Sequence, residues 1–235
     1  MDTWLKFILL FVAGYIVGSI PLSYLTGRAR GVNLKKQGTH QVGAGNLWRT
    51  TSRRLGFFVG LYDFLKGMLM VYIAKKAGLD AGPQLMVGVA AIIGHNWPVF
   101  LKFHGGRGAA TALGLVIIIP AINTAEATSW PVIVCFGVLL AVISVAHRTP
   151  VPVLAGLISL PITSAIVHEP LTLRLAYGAL LIVMVLKRLT AQPITEKIPI
   201  SMGKILLNRL LFDRDIRDRA AWVSRKTDAD GESRQ

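Results

Sequence analysis

Cysteine is nearly absent from this chain: one in 235 residues, Cys135, set in an apolar run. A disulfide framework and a cysteine-based metal site are therefore excluded, and Cys135 reads as a small buried hydrophobe. Acidic residues are scarce too, 12 against 26 lysines and arginines, for a formal net charge of +14. Several catalytic signatures are missing: there is no HExxH, CxxC, Gly-x-Ser-x-Gly elbow or Walker lysine pattern. The HxxxxD acid–base pair of a common class of membrane acyltransferase is also absent. No internal repeat or low-complexity segment is evident.

What the chain has is apolar length. Hydrophobic residues make up 53% of it, and they gather into long runs with the basic residues between them. A run of roughly 20 apolar residues crosses the hydrocarbon core as a helix. Basic residues flanking such runs sit near anionic headgroups, each contributing about 1 kcal/mol. Nucleic-acid binding would account for the charge but not for the runs, so membrane lipids are the expected partner and nucleic acid is not.

The reading is an all-α integral membrane protein of about seven transmembrane helices. Spans are predicted near 4–25, 55–73, 84–101, 109–122, 130–147, 151–167 and 171–186. The first is kept as a span, since its leader is acidic and lacks a clear small-x-small cleavage site. Gly18-Ser19-Ile20-Pro21 predicts a kink at its exit. With seven crossings, loop 26–54, turn 102–107, Arg148 and the C-terminal tail share one side. That side carries most of the lysines and arginines, so it is predicted to be cytoplasmic with the N-terminus outside. Residues 1–188 form the transmembrane domain. Residues 189–235 form a basic tail in which 200–222 reads as an interfacial amphipathic helix or a partner-binding one. The last dozen residues read as disordered.

Three stretches carry candidate chemistry, all at the predicted cytoplasmic end. The longest is Gly94 to Thr111, GHNWPVFLKFHGGRGAAT, which joins two apolar runs through a glycine cluster around one cation. Gly105, Gly106 and Gly108 permit positive φ and inward-facing N–H groups. Arg107 offers a planar fork suited to phosphate, and Ala109 opens a helix whose N-terminus favours an anion. The same residues equally fit a glycine turn with a snorkelling arginine. The first loop has a second glycine-spaced run, from Gly38 through Gly43 and Gly45 to Arg49. There Thr39 and Asn46 offer hydrogen bonds to a phosphate or polyol, and the same run equally fits an ordinary surface loop with a snorkelling arginine. In the second span, Asp63 and Lys66 share a helix face, as a substrate contact or as a structural clasp. His95 reads as a hydrogen-bonded core residue or a site contact, and His40 and His104 lie in the candidate phosphate loops.

Taken in order, these stretches resemble the bacterial acyl-phosphate:glycerol-3-phosphate acyltransferases over residues 14–114. Gly18–Pro21 is similar to the end of that family's first helix. Gly43-Ala44-Gly45-Asn46 through Arg49 resembles its first motif, and Asp63–Gly67 its second. Gly94-His95 through Pro98, Phe100, Gly105–Gly108 and Ala110-Thr111 resemble its third. The resemblance implies a seven-span inner-membrane enzyme of phospholipid synthesis with its active site facing the cytoplasm. It would move a fatty acyl group from acyl phosphate to the 1-hydroxyl of glycerol 3-phosphate, giving lysophosphatidate. No cofactor or metal is implied. Arg107, Arg49 and Asn46 would carry catalysis. Thr39, Gly43, Gly105, Gly106, Gly108, Lys66 and His95 would bind substrate phosphates. A substrate phosphate would take the hydroxyl proton.

This chain departs from the family pattern in three places. Gly38-Thr39-His40-Gln41 stands where the first motif usually begins Gly-Ser-Gly-Asn, and Arg107 stands where lysine is usual. The segment after the last span, Lys187–Gln192, lacks the family's His and Asn, and a longer tail follows. These departures leave open a second reading, a non-catalytic or transport membrane protein that binds an anionic lipid or polyol phosphate.

Overall fold

The computed structural model describes residues 2–124, 130–146, 150–190 and 200–223. Within them all regular structure is helical. The expected spans correspond to α1 (Thr3–Ser19) continuing into α2 (Leu22–Ala29), then α4 (Arg53–Lys76), α5 (Ala81–Asn96), α6 (Ala109–Ile122), α7 (Trp130–Ala146), α8 (Val151–Ile166) and α9 (Leu171–Leu189). The predicted kink is a full break, because Pro21 ends the α1 register and α2 restarts after it. A short helix that the polar loop did not announce, α3 (Ala44–Thr50), packs on α4. Three stretches have the length and composition to cross a membrane: Thr3–Ala29, Arg53–Lys76 and Ala81–Leu101. Helices α6, α7 and α8 are shorter apolar ones.

Helix α5 is the axis of the bundle, packed by α1, α4, α6 and α9. Its small residues let backbones approach closely, the usual means of helix packing in lipid. A Cβ on Gly18 of α1 would sit 2.1 Å from the Ala91 carbonyl oxygen, and one on Gly94 of α5 would sit 2.1 Å from that of Tyr15. On its other faces α5 contributes Leu85, Val89 and Ile92 to the main core, with Leu115 and Ile119 of α6, Leu157 and Leu160 of α8, and Tyr177 and Leu180 of α9. Outward faces carry exposed apolar side chains, among them Val12, Phe57, Val138, Ile162 and Ile182. A bundle apolar both inside and outside is one whose solvent is lipid.

The tail is not one continuous amphipathic helix. It forms α10 (Met202–Phe212) and α11 (Arg219–Val223), separated by a left-handed residue, Asp213, at φ 55. Helix α10 folds back against α9 and α8. The residues expected to be disordered, 224–235, lie outside the described residues, as does Arg148.

Candidate active site

The first loop and the 94–111 stretch meet at one end of the bundle. Asn46 is 3% exposed. Its amide nitrogen lies within 3.1 Å of the carbonyls of Leu34, Gln37 and Gln41, and its oxygen accepts from the Thr39 N–H at 3.0 Å. Both ends of the amide are thus engaged inside the loop. Lys35 ties the same loop to the third stretch through the Leu101 carbonyl at 3.4 Å. Burial, with the charge of Lys102, holds Lys35 below the ordinary lysine value.

The glycines of the third stretch serve mainly by lacking a side chain. Among Gly105, Gly106 and Gly108, only Gly108 has positive φ, at 68°, where it caps α6. Gly106 donates its N–H to the His95 carbonyl at 3.1 Å. A Cβ there would lie 2.2 Å from His95 Nε2 and 2.8 Å from the Val42 carbonyl oxygen. That glycine is the point where the two loops and α5 touch. Gly43, by contrast, has nothing among the described residues within 4 Å of an added Cβ.

Lys66 and His95 are brought together, away from the loops' outer surface. Lys66 Nζ lies 2.8 Å from Asp63 Oδ1 and 2.9 Å from His95 Nδ1, and it donates to the Gly18 carbonyl at 3.2 Å. Asp63 Oδ1 is 3.3 Å from the same His95 nitrogen. This buried cluster joins α1, α4 and α5, the arrangement of a clasp. A void of only about 10 Å³ borders it, next to Gly105 and Gly106.

The outward-facing part of the site is cationic. Arg107 is 18% exposed and donates through Nη1 to the Lys187 carbonyl at 3.0 Å. Its Nε lies 3.2 Å from Asp213 Oδ2. With the Gln41 amide turned so that its oxygen faces the guanidinium, Gln41 accepts from Arg107 Nε at 3.2 Å and Nη2 at 3.0 Å. Arg49 is exposed, with Nη1 donating to the Gly45 carbonyl at 3.0 Å one turn earlier in α3. Thr39, Gln41 and Arg49 line a polar cavity of about 150 Å³ whose far side is made by the tail. That is below the roughly 300 Å³ at which drug-sized pockets begin, and it suits a small polar molecule. Burial raises the Asp213 carboxyl above its ordinary value, against the opposing pull of Arg107, Arg188, Lys187 and Arg214.

Sequence reasoning missed Asp213, Gln41 and Lys187. Lys187 stacks on the Trp97 ring at 5.1 Å and donates to the Asn96 carbonyl. Its position at the end of a span was visible. Nothing in the sequence tied Asp213, 106 positions downstream, to Arg107.

The fold and this end of it define a polytopic helical membrane protein with a cation-lined site suited to a small anion. Comparison with known proteins gives the family. The model of the glycerol-3-phosphate acyltransferase family matches residues 8–194, and the chain belongs to that family. Glycerol-3-phosphate acyltransferase 5 of Dehalococcoides mccartyi is 35% identical over 230 residues, which is 95% of each chain. The glycerol-3-phosphate acyltransferase of a Synechococcus species is 36% identical over 160 residues, 67% of this chain and 76% of that one. Among solved structures, the crystal structure of PlsY (YgiH), an integral membrane glycerol 3-phosphate acyltransferase, in its glycerol 3-phosphate form, superposes with a TM-score of 0.66. It is 27% identical, covering 77% of this chain and 88% of that one. The chain is accordingly a bacterial membrane enzyme of the acyltransferase class.

Proposed function

We infer that this enzyme transfers a fatty acyl group from an acyl phosphate to the 1-hydroxyl of sn-glycerol 3-phosphate. The C–O bond to the acyl carbon forms as the acyl–phosphate bond breaks. Phosphate leaves with the bonding pair, and the hydroxyl proton passes to a substrate phosphate oxygen. The observation that carries this reading is the cavity lined by Thr39, Gln41 and Arg49, with Arg107 reaching it through Gln41 and Asp213. Two phosphorylated substrates need cations and hydroxyl donors held close together. An activated donor needs no protein nucleophile, so positioning and charge stabilisation supply most of the rate. Arg107 and Arg49 stabilise phosphate charge, and Thr39 offers a hydroxyl and a loop edge. Asn46, Gly106 and Gly108 hold the two loops in register.

The chain crosses the inner membrane seven times, with the site facing the cytoplasm. The charge balance of the loops supports this orientation. A purely anion-binding or transport role is not favoured, because the acyltransferase family match extends over residues 8–194. The test is purified protein with palmitoyl phosphate and glycerol 3-phosphate. Lysophosphatidate should form in proportion to enzyme, and product no greater than in a protein-free control would overturn the assignment.

A further inference from the structure

The family match ends at residue 194, yet the segment beyond it reaches back into the site. Helix α10 is tied to the end of α9 by guanidinium–carbonyl bonds running both ways. Arg188 Nη1 donates to the Leu210 carbonyl at 2.7 Å, and Arg209 Nη1 to that of Leu189 at 2.7 Å. Arg209 also pairs with Asp215, which is 1% exposed. Asn208 donates to the Asp215 carbonyl at 2.9 Å, closing the turn after α10. The left-handed Asp213 then turns its carboxylate onto Arg107. Asp213, Arg214 and the buried Trp222 form the wall of the cavity opposite Thr39, Gln41 and Arg49.

We propose that the tail is a working wall of the substrate site: Arg214 binds the acceptor's phosphate, and Asp213 is a positioning residue that holds the Arg107 fork. This rests on the reaction proposed above. Arg214 is itself placed by bonds to the Arg217 carbonyl at 2.7 and 3.1 Å and by the Phe212 ring. A guanidinium braced in this way loses little further freedom on meeting a phosphate. Asp213 leaves the site attractive to anions, since one carboxylate lies within reach of four cations, Arg107, Arg188, Lys187 and Arg214. Its Oδ1 is buried and has no hydrogen-bond partner among the described residues, so the carboxylate is held there by its Oδ2 side, where Arg107 lies.

The test uses full-length detergent-purified protein with palmitoyl phosphate and glycerol 3-phosphate. Loss of a uniform binding contact raises KM and spares kcat. Arg214→Ala should therefore raise KM for glycerol 3-phosphate about tenfold with kcat within about twofold, and Arg214→Lys should recover part of that. Asp213→Ala should lower kcat about tenfold, and Asp213→Asn, which keeps an acceptor for Arg107, should recover much of it. Should Arg214→Ala aggregate, Arg214→Gln reads the same parameter. An unchanged KM in the Arg214 variants, or a raised kcat/KM in Asp213→Ala, would overturn the proposal; the latter result would make the tail an inhibitory plug. Calorimetric titration with glycerol 3-phosphate alone separates this from the reaction itself. If the wild type binds but yields no lysophosphatidate, the reaction fails, and a tenfold weaker titration in Arg214→Ala still supports the tail wall. Equal titration curves, or no binding by the wild type, reject it.

Discussion

The Arg107 guanidinium meets the Asp213 carboxylate, Nε to Oδ2 at 3.2 Å, with each side chain 18% exposed. Arg107 also donates to the Lys187 carbonyl, so the cation is held by the end of α9 and by the tail together. With Gln41 of the first loop also on the guanidinium, its fork serves three elements at once, which suits a planar, multi-donor cation better than a point charge. Arg107→Ala should cost roughly a hundredfold or more in turnover, by the scale of losing one charge-stabilising donor. Arg107→Lys should fall between the alanine variant and wild type, keeping the charge and losing the fork that reaches all three anchors. Steady-state rates on monodisperse protein decide it. Wild-type turnover in Arg107→Ala would reduce the residue to an interfacial anchor.

The buried clasp makes a prediction about stability. Asp63 and Lys66 are 6% and 2% exposed at the side chain. Removing Lys66 leaves the buried Asp63 carboxylate with His95 alone beside it, a loss of up to about 3–5 kcal/mol. Lys66→Met alone should lower the melting temperature in detergent steeply. Combining it with Asp63→Leu should recover a large part of the loss, because the uncompensated charge is gone. A double variant no more stable than the single one would mean that the cluster does more than clasp the helices.

Two glycines of the site separate steric need from resemblance. Gly106→Ala places a Cβ 2.2 Å from His95 Nε2, so His95 or the loop must move, and activity should fall at least tenfold. Gly43→Ala meets open space at an extended φ of −166°, and the enzyme should keep near-wild-type rates. Equal sensitivity of both positions would point to a substrate lying against Gly43.

Asn46 should behave as a staple. Asn46→Ala removes the bonds to Leu34, Gln37, Gln41 and Thr39 and leaves the buried Leu34 carbonyl unpaired, costing about 1–3 kcal/mol. Asn46→Asp keeps the acceptor for Thr39 but sets a carboxylate against three carbonyls, and it should be no better. Thermal melting reads this directly. A variant with wild-type melting and lost turnover would return Asn46 to substrate contact.

Topology can be read by labelling single cysteines, after Cys135→Ala, in the loop near Lys36 and beyond Lys187. Both should react only with a reagent that reaches the cytoplasm. Labelling of either from outside would break the shared site apart, since the first loop and the end of α9 both serve Arg107.

How much of this was legible in the sequence depends on the range of the signal. Apolar run length declared a helical membrane protein and placed α4, α6, α7, α8 and α9 closely, with α5 ending at Asn96, short of the expected 101, because burial in lipid acts on every residue of a span. The i,i+3 spacing of Asp63 and Lys66 declared their pairing, because helix geometry alone brings them together. The glycine-spaced loops, with Arg49 and Arg107, marked the end of the bundle where the candidate cavity lies. Tertiary packing alone decided that His95 joins the Asp63–Lys66 pair, because the approach of α5 to α4 depends on all the small residues between the helices. It decided that Asn46 points inward and that Gly106 is needed for contact with His95. It also decided that the tail breaks at Asp213 and returns to Arg107. A carboxylate and a guanidinium 106 positions apart carry no periodicity that links them, and only the helices between them set the distance.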